Sequence, residues 1–563
     1  MELKTFYDNF DLLADAPNCI SKLREMILHL AVQGKLVPQD PDDEPSKAFI
    51  SKIKNEVPCR KNGKKRTLCD PIKEKDEPYQ LPSGWTWERF GNVFDIQGGT
   101  QPPKSQFKDR PSQSHVRLYQ IRDFGSKPVP IYVPRSSVKS FCSKDDVMLA
   151  RYGASVGKIF MGEDGAYNVA LTKVYFNHKG IFNRYVYFML KSPLFQVPIL
   201  SFSRSAQAGF NKGNIFPIIL PFPPTNEQKR IVAKIEELMT LCDDMEARKQ
   251  KAHYACIKVN DASINKLVSE STSNKFNKHW NRIHRNFNLL YSKPENINKL
   301  RQAILQLAVQ GKLVPQNPND EPASVLLEKV RIEQKRKIKE FKLRKTKPIK
   351  PFTSDDIPTS IPSGWGCERF GNMALISGGV TKGRKFAGRE TGYYPYLRVA
   401  NVQRWYLDLN EVKEIEIPVD ELDKYKLEYD DILITEGGDW DKVGRAAVWE
   451  GQIKTCLHQN HIFKARLSCD DIEKKWILLF INSPVGREYF ENSSKQTTNL
   501  ASINMTQLKH CPVYIPPVNE QRRIINKVDE LLSLCDDLEL KLNEGESHSN
   551  RLIDAVVSNL VAA

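Results

Sequence analysis

Two stretches of the chain carry apolar residues separated alternately by four and three positions. This heptad spacing predicts long amphipathic helices over residues 226–270 and 519–563. A helical run of about 35 residues is roughly 50 Å long. Two such helices in one chain pair most economically with each other, although each could also be an ordinary surface helix. The seam consists of Ile231, Ile235, Leu238, Cys242 and Met245 in the first stretch and Ile524, Val528, Leu531, Cys535 and Leu538 in the second.

Both stretches open on the triplet Asn-Glu-Gln, whose first two residues suit the start of a helix. Asn226 and Asn519 are expected N-caps, and the glutamates that follow suit the positive end of the helix dipole. An amphipathic run from Leu23 onward predicts a shorter helix that stops at Gly34. Residues 325–347 predict a basic helix, which is more simply a solvated arm than a phosphate-binding surface.

The chain contains an internal duplication. The ten residues LAVQGKLVPQ occur at 30–39 and recur, letter for letter, at 307–316. Three longer blocks recur around them: 23–45 with 300–322 (18 of 23 residues identical), 81–93 with 361–373, and 226–248 with 519–541 (13 of 23 identical). Between the second and third blocks the halves diverge. The sequence therefore predicts two near-identical frames that hold two different inserts.

Each insert has the pattern of a mixed α/β domain. Short β-branched and aromatic runs such as VMLARYG and DILITEGG, bounded by Gly, Pro and Asp, predict strands, and one apolar stretch in each insert predicts a helix. The expected fold is α/β (α+β), with two globular domains joined by two long antiparallel helices in a coiled coil and related by a pseudo-two-fold repeat. The predicted divisions are a helical frame with a charged linker (1–80), the first insert (81–225), a long helix (226–270), a linker and second frame (271–360), the second insert (361–518) and a second long helix (519–563).

Composition narrows the class of protein. The formal net charge of +16 favours a polyanionic partner. No run of 18 apolar residues predicts a membrane span, and the N-terminus lacks the pattern of a signal peptide. Eleven cysteines without CxxC spacing argue against a disulfide framework and a zinc ribbon. These features together predict a cytoplasmic protein.

Motifs for catalysis are missing from the sequence. The base-pocket motif of amino-methyltransferases, N-P-P-[YF] or D-P-P-[YF], is absent. GASVGK at 153–158 is not a phosphate loop, because three residues rather than four separate its glycines and Ile159 replaces the Mg²⁺-binding hydroxyl. HQNH (458–461) and HWNRIH (279–284) lack neighbouring cysteine or acidic ligands at zinc spacing. We therefore expect a binding protein with no catalytic residue and no metal site.

The ordered set of motifs resembles one family, the specificity subunits of type I restriction–modification systems. The residues that carry the resemblance are P-S-G-W-x-x-x-R-F-G-N at the opening of each insert, the Gly-Gly of DIQGGT and LISGGV, and P-P-x-N-E-Q-[KR]-R-I before each long helix. The resemblance covers nearly the whole chain.

The resemblance implies a function for each part. Each insert would be a target recognition domain that reads one half of a split, asymmetric DNA site, and the paired helices would fix the spacer between the halves. The frames would dock two methyltransferase subunits that direct adenine methylation, and restriction subunits would join them. S-adenosylmethionine, ATP and Mg²⁺ would belong to these partners. Two alternatives stay open: a single-chain methyltransferase or nuclease with its own recognition domains, and a non-catalytic protein scaffold.

Candidate DNA-binding residues follow from the chemistry of recognition. Arg and Lys suit guanine, Asn and Gln suit adenine, and glycine allows backbone to approach phosphate closely. In the first insert the candidates are Gly98, Gly99, Thr100, Gln101, Lys104, Tyr119, Gln120, Arg122, Arg151, Tyr152, Lys158, Ser203, Arg204, Gln207 and Asn211. In the second insert they are Gly378, Gly379, Thr381, Lys382, Arg384, Lys385, Arg398, Asn401, Arg404, Trp440, Arg445, Gln496, Thr497 and Asn499.

Overall fold

A computed structural model gives the architecture of the chain. It describes residues 16–55, 68–176, 178–202, 209–270, 272–340, 349–350, 352, 361–438, 442–496 and 501–562. The chain forms two compact units, one made of Met1–Ala252 with Gly545–Ala563 and the other of His253–Glu544. In the described part of the chain, no helix combines the length and the apolar character needed to cross a bilayer.

The first unit contains the first insert and its frame. Its helices are α1 (Cys19–Val32), α2 (Ser46–Asn55), α3 (Phe90–Val93), α4 (Asn183–Lys191), α5 (Pro193–Ser201), α6 (Lys212–Ile215) and the first part of α7 (Thr225–Ser269). Its strands are β1 (Thr86–Arg89), β2 (Asp95–Gly98), β3 (His115–Tyr119), β4 (Tyr132–Pro134), β5 (Phe141–Cys142), β6 (Val147–Ala150), β7 (Ile159–Met161), β8 (Gly165–Tyr167), β9 (Leu171–Tyr175) and β10 (Ile219–Phe222).

The second unit contains the second insert and its frame. Its helices are the end of α7, then α8 (Ser273–Arg285), α9 (Phe287–Leu290), α10 (Pro294–Val309), α11 (Ala323–Glu340), α12 (Leu422–Tyr425), α13 (Lys474–Asn482), α14 (Pro484–Ser493), α15 (Met505–His510) and most of α16 (Val518–Ala562). Its strands are β11 (Gly366–Arg369), β12 (Ala374–Gly378), β13 (Thr391–Leu397), β14 (Lys413–Pro418), β15 (Ile432–Thr435), β16 (Gly437–Gly438), β17 (Ala446–Val448), β18 (Leu457–His458), β19 (Ile462–Leu467), β20 (Lys495–Gln496), β21 (Ala501–Ser502) and β22 (Pro512–Ile515).

The main sheets of the two inserts share one topology. A four-stranded antiparallel sheet has the order β2-β9-β6-β7 in the first insert and β12-β19-β15-β17 in the second. A second sheet contains one parallel pair in each case, β3 with β8 and β13 with β18. The opening strand of each insert pairs with its last strand, β1 with β10 and β11 with β22. Because the chain enters and leaves each insert on paired strands, the frame and the long helix meet at one place.

A glycine in each decapeptide repeat forms part of that meeting place. Gly34 and Gly311 have φ values of 73° and 68°, which glycine adopts at little cost. A Cβ on Gly34 would lie 2.4 Å from Pro82 and 3.1 Å from Trp85, and one on Gly311 would lie 2.4 Å from Pro362. The repeated LAVQGKLVPQ therefore supplies the surface on which the P-S-G-W block packs, and that is a physical reason for its recurrence.

A buried carboxylate holds the same junction together. The indole of Trp85 donates to Glu227 Oε2 at 2.9 Å, and the Gln39 amide donates to Glu227 Oε1 at 3.1 Å. Burial raises the pKa of Glu227, and the two hydrogen bonds partly oppose that shift. Burial likewise raises the pKa of Glu520, the corresponding residue of the second long helix. Glu227 thus ties α7 to the frame through Gln39 and to the insert through Trp85.

The starts of the long helices differ from the expectation. Asn226 and Asn519 are not N-caps, because α7 begins at Thr225 and α16 begins at Val518. The first helical hydrogen bonds run from Gln228 N to the carbonyl of Pro224 and, in the other unit, from Gln521 N to Pro517, each at 2.9 Å. The proline carbonyl before each helix thus takes the place that was predicted for the asparagine.

The predicted seam is buried, but a frame helix shares it. Ile231, Ile235 and Cys242 belong to a core that also contains Leu23 of α1 and Ile553 of α16. In the second unit the core contains the equivalent residues Ile524, Val528 and Cys535 of α16 together with Ile304 of α10. The remaining seam residues, Leu238, Met245, Leu531 and Leu538, are partly buried against these cores.

Ion pairs show how the frame helix joins the long helices in the first unit. Arg24 of α1 contacts Asp243 and Glu246 of α7 at 2.6 and 2.8 Å. On the same helix Lys22 contacts Asp554 of α16 at 3.2 Å. Helix α1 therefore bridges the start of α7 and the end of α16, so this bundle has three helices where the heptad pattern predicted two.

The second unit repeats the arrangement. Arg301 of α10 contacts Asp536 and Glu539 of α16 at 2.6 and 2.7 Å. Lys299 of the same helix lies 3.7 Å from Asp261 near the end of α7. Each long helix thus begins in one unit and ends in the other, and in each unit a helix of the repeated frame lies against both.

Candidate nucleic-acid interface

Each Gly-Gly pair lies at the end of the first strand of the antiparallel four-stranded sheet, β2 in the first insert and β12 in the second. A Cβ on Gly99 would lie 2.0 Å from the carbonyl oxygen of Asn168, and one on Gly379 would lie 2.0 Å from that of His458. The second glycine of each pair is therefore required for close packing of the backbone against a neighbouring segment. Gly378, in contrast, has nothing within 4 Å of its added Cβ, and Gly98 has only the tip of Arg151, at 3.9 Å. The first glycine of each pair alone leaves room for the approach of a ligand.

The ends of the two parallel-paired strands place Gln120 and Arg398 at equivalent positions. The amide of Gln120 donates to Asp123 Oδ2, and the amide of Arg398 donates to Asn401 Oδ1, each at 2.8 Å. Both bonds fix a short 3₁₀ turn directly after the strand. Both side chains are partly exposed. The same backbone device thus carries an amide side chain in one insert and a guanidinium in the other. The Arg398 guanidinium also donates to the carbonyl of Glu411 at 3.2 Å and lies 3.4 Å from the Glu411 carboxylate, which partly compensates its charge.

Two neighbouring candidates are poorly placed to contact DNA. Tyr119 is 8% exposed, and its ring packs against Phe124 and under the guanidinium of Arg117. Asn401 is 3% exposed, and its amide donates to the carbonyls of Asp408 and Glu411. The ring of Tyr119 packs in the core, and the side chain of Asn401 stabilises a turn. Neither residue is therefore placed to contact a base.

The structure brings several candidates of the first insert together beside the first glycine. Arg151 lies after strand β6, donates its Nε to the carbonyl of Phe210 at 3.0 Å, and places its guanidinium over the ring of Tyr152. Tyr152 is 44% exposed, and Lys158 is exposed before β7. Asn211 lies next to Phe210. This group forms one exposed surface with a cation stacked on an aromatic ring.

Asn211 has a structural role that the sequence did not reveal. Its side chain accepts from the amide of Asn214, and Asn214 returns the bond to the Asn211 amide at 2.9 Å. Asn504, at the same place in the second insert, forms the equivalent box with Gln507. Loss of Asn211 would therefore disturb a helix cap as well as any contact with DNA, which weakens it as a probe of base reading.

The second insert has a different exposed surface, which centres on a turn in which the sequence had indicated Arg404 but neither of the aromatic residues that follow it. Trp405 has a φ of 79° and is 40% exposed, and Tyr406 beside it is 61% exposed. The Trp405 amide donates to the carbonyl of Ala446 at 3.0 Å, and Arg445 donates to Gln403 Oε1 at 2.7 Å. A bulky residue in the left-handed region is strained, and such strain often marks a functional site. In the sequence, the adjacent aromatic residues Trp405 and Tyr406 are the signal that could have indicated this turn.

An ion-pair cluster accounts for one further candidate. Arg384 contacts Glu421 through both of its terminal nitrogens, at 2.7 and 2.8 Å, and Arg389 contacts Glu421 and Asp420. The hydrogen bonds from Arg384 and Arg389 lower the pKa of Glu421 to about 2. The charge of Arg384 is therefore compensated within the protein, whereas the neighbouring Thr381, Lys382 and Lys385 are exposed.

The other candidates are distributed as follows. Thr100 is half-buried and its amide bonds to the carbonyl of Tyr167, while Gln101, Lys104 and Arg122 are exposed. Arg404 is half-buried in the turn that contains Trp405. Seven candidates lie outside the described residues or side chains: Ser203, Arg204, Gln207, Trp440, Gln496, Thr497 and Asn499.

The segments that resemble phosphate or zinc motifs have other roles. GASVGK runs from strand β6 through a single 3₁₀ turn into strand β7, whereas a phosphate loop leads into a helix. His458 of HQNH is buried against the carbonyl of Tyr425, and burial, aided by Lys464, lowers its pKa to about 3. Among the residues that the structure describes, no group of three or more His, Cys, Asp or Glu side chains is placed to hold a metal ion.

The fold and these surfaces define a two-domain recognition protein built on a duplicated frame. Residues 82–252 and 362–545 match the family model described as type I restriction modification DNA specificity domain, and the chain belongs to this family. It is accordingly a specificity subunit, the non-catalytic recognition component of a type I restriction–modification system. This result confirms the sequence-based assignment and disfavours both the single-chain enzyme and the general scaffold.

Individual relatives show how far the similarity extends. The chain is 30% identical to the type I restriction enzyme EcoEI specificity subunit of Escherichia coli, over 95% of this chain and 93% of that protein. It is 29% identical to the EcoAI specificity subunit of Escherichia coli, with the same coverage. Among solved structures, the HsdS subunit from Thermoanaerobacter tengcongensis is 17% identical and has a TM-score of 0.40, covering 86% of this chain and 98% of that one.

Proposed function

We propose that each insert reads one half of a split, asymmetric site in double-stranded DNA. One observation carries this proposal: the same strand end and turn present Gln120 in one insert and Arg398 in the other. Glutamine suits adenine and arginine suits guanine in the major groove. Identical frames that display different side chains at an equivalent, partly exposed position are what two unlike half-sites require.

The second surface supports unlike half-sites as well. In the first insert Arg151 stacks over the exposed Tyr152, whereas in the second insert Arg445, Gln403 and the exposed Trp405 lie together. Arginine and aromatic side chains both contact nucleic acid, through phosphate or base hydrogen bonds and through stacking. Each insert therefore has a cationic and aromatic surface of its own design.

A selection experiment tests this proposal. The chain, assembled with its methyltransferase partner, is incubated with a library of duplexes of random sequence, and the bound fraction is sequenced. We expect a motif of two different short halves at a fixed separation. A bound pool without sequence preference, or robust methylation by the isolated chain, contradicts the proposal.

The repeated frames fit a partner that docks twice. Leu241 on α7 is 53% exposed and Leu534, at the equivalent position on α16, is 56% exposed. Exposed apolar side chains at matching places on two similar surfaces suit two copies of one partner, as closed symmetry requires. We take that partner to be a methyltransferase subunit, and restriction subunits join the complex in the cytoplasm. S-adenosylmethionine, ATP and Mg²⁺ would be bound by these partners.

Stoichiometry tests the docking surfaces. Leu241→Glu and Leu534→Glu are each expected to reduce the complex from two methyltransferase copies to one, and the double variant to remove both, as measured by native mass spectrometry. Leu540→Glu, which alters another exposed leucine of α16, is the matched control. Retention of both copies by the double variant contradicts this assignment.

A further inference from the structure

A groove in the second unit is lined by basic side chains from two helices. Lys258 and Lys266 of α7 face His279 and Arg282 of α8 around a cavity of about 180 Å³. Lys266 lies eight positions after Lys258, which places the two residues about 12 Å apart along the helix axis. That distance equals the rise of about three to four base pairs along the axis of a DNA duplex.

The basic side chains of this groove are not engaged in ion pairs among the described residues. Lys258, Lys266 and Arg282 form no ion pair with any acidic side chain in the described ranges, whereas Lys299 on the next helix does pair with Asp261. Residues 271–294 contain Lys275, Lys278, Arg285 and Lys293 besides Arg282, and the nearest acids in the sequence are Glu270 and Glu295 on either side of this stretch. The groove is therefore suited to an anion that arrives from outside the chain.

The groove is held in a fixed shape. Ile283 of α8 is 3% exposed and belongs to an apolar cluster with Leu267 and Val268 of α7. The apolar side of α8 thus anchors it to α7, and Arg282 at the neighbouring position is exposed. A site that is already formed loses little entropy when a ligand binds.

The groove also lies close to the junction of the second insert. Lys312 of the repeated frame donates to the carbonyls of Val268 and Glu270 at the end of α7, at 3.0 and 2.8 Å. The preceding residue, Gly311, packs against Pro362 where the insert begins. An anion bound in the groove is consequently close to the base of the domain that reads DNA.

We infer that this groove binds the sugar–phosphate backbone of duplex DNA without regard to its sequence. The choice of DNA rests on charge complementarity. The chain carries a formal net charge of +16, and lysine and arginine side chains that line one groove suit the phosphates of a nucleic-acid backbone.

This inference concerns contacts with the DNA backbone and not the reading of bases. It rests on the proposed function because both require that the chain binds duplex DNA. The triple variant Lys258→Gln, Lys266→Gln, Arg282→Gln is tested in the full chain by fluorescence anisotropy with a duplex that lacks the recognition sequence, across a series of salt concentrations. Each lost phosphate contact reduces the salt slope by about 0.9. We therefore expect the slope to fall by about 2 to 3 and the affinity at low salt to fall roughly tenfold or more.

Two controls separate a specific site from a general loss of charge. The matched variant Lys329→Gln, Lys475→Gln, Lys527→Gln removes three lysines that are paired with acids in the same unit, and it is expected to change the slope by less than one. Replacing Lys258 and Lys266 by arginine is expected to preserve the parent slope. An unchanged slope in the triple glutamine variant overturns the inference, as does weaker methyltransferase binding with an unchanged slope.

Failure of the inference is distinguishable from failure of the proposed function. The ratio of affinities for specific and non-specific duplexes reports base reading, and the inference expects this ratio to stay constant in the triple variant. A parent chain without sequence preference whose salt slope still falls on mutation would reject the proposed function and leave the groove as a phosphate site.

Discussion

The two halves of the chain carry matching residues where frame, insert and long helix meet, and they carry different residues at the exposed turns of the inserts. We call the first regions the junctions. At the junctions, Gly34 corresponds to Gly311, Arg24 to Arg301 and the Arg230–Asp43 pair to the Arg523–Asp320 pair, with each ion pair at 2.7 Å. At the turns, Gln120 of the first insert stands where Arg398 stands in the second, and both side chains are partly exposed. The junctions therefore fix the architecture, while the turns are free to set what each insert binds.

The largest effect is expected from a substitution at a junction. Gly311→Ala would force a Cβ into the left-handed region 2.4 Å from Pro362, so we expect a loss of about 2 kcal/mol or more in the free energy of unfolding of the second unit. The measurement is urea denaturation followed by tryptophan fluorescence. Gly545→Ala is the control, because this glycine lies within α16 with nothing within 4 Å, and there alanine should stabilise by about 0.5–1 kcal/mol. Equal effects of the two changes would reject the junction argument.

A pair of variants sharpens the contrast between the turns. Gln120→Ala and Arg398→Ala should each relax base preference in one half-site only, by about 1–3 kcal/mol of discrimination, since the two side chains lie in separate inserts. Sequencing of methylated bases in cells that express each variant reads both halves at once. Loss of preference in both halves from either change would show that the inserts are not independent readers.

A smaller effect is expected at the strained turn of the second insert. Trp405→Ala removes an exposed ring and should weaken binding of the second half-site by about 1 kcal/mol while leaving the first unaffected. Tyr429→Ala, at a residue that is 70% exposed in the same unit, is the matched control and should have no effect. Competition binding with duplexes altered in one half provides the measurement, and equal behaviour of the two variants would remove the turn from the interface.

The smallest effect concerns pH and again distinguishes the inserts. The pKa of Glu421 lies near 2, below its ordinary value of 4.5, because Arg384 and Arg389 bond to the carboxylate. These ion pairs stabilise the second unit fully above about pH 4.5 and lose their effect as the pH falls toward 2. Glu421→Gln should flatten that acid-side decline in thermal melts, whereas Glu414→Gln on the same hairpin should not. A decline of the same steepness in both variants would show that other groups cause it.

Local patterns in the sequence predicted the parts of the fold that depend on neighbouring residues. Heptad spacing located the two long helices, and Gly34 marked the end of α1 because a helix stop is a local event. The third helix of each bundle was not predictable, since the contact of Arg24 with Asp243 joins residues more than two hundred positions apart. The N-cap at Asn226 was wrong because the carbonyl of Pro224 accepts the first helical bond.

The candidate site was predictable only in outline. Residue type selected Gln120, Arg151 and Arg398, which are partly exposed in the structure. It also selected Asn401, whose side-chain amide is hydrogen-bonded inside a turn. Burial and hydrogen-bond partners decide between these roles, and neither can be read from one sequence. The assignment of these residues to DNA remains a prediction.

The exchange of the long helices between units has a consequence for how the protein is made. Ile553, Val556 and Val557 belong to the core of the first unit, together with residues that leave the ribosome some three hundred positions earlier. The first insert can acquire its sheets during translation, but the helices beneath it cannot complete their apolar core until this segment has been synthesised. Until then the apolar residues of the first unit that pack against this segment stay exposed. A chain that ends anywhere in the second half lacks this segment, so the core of its first unit is incomplete.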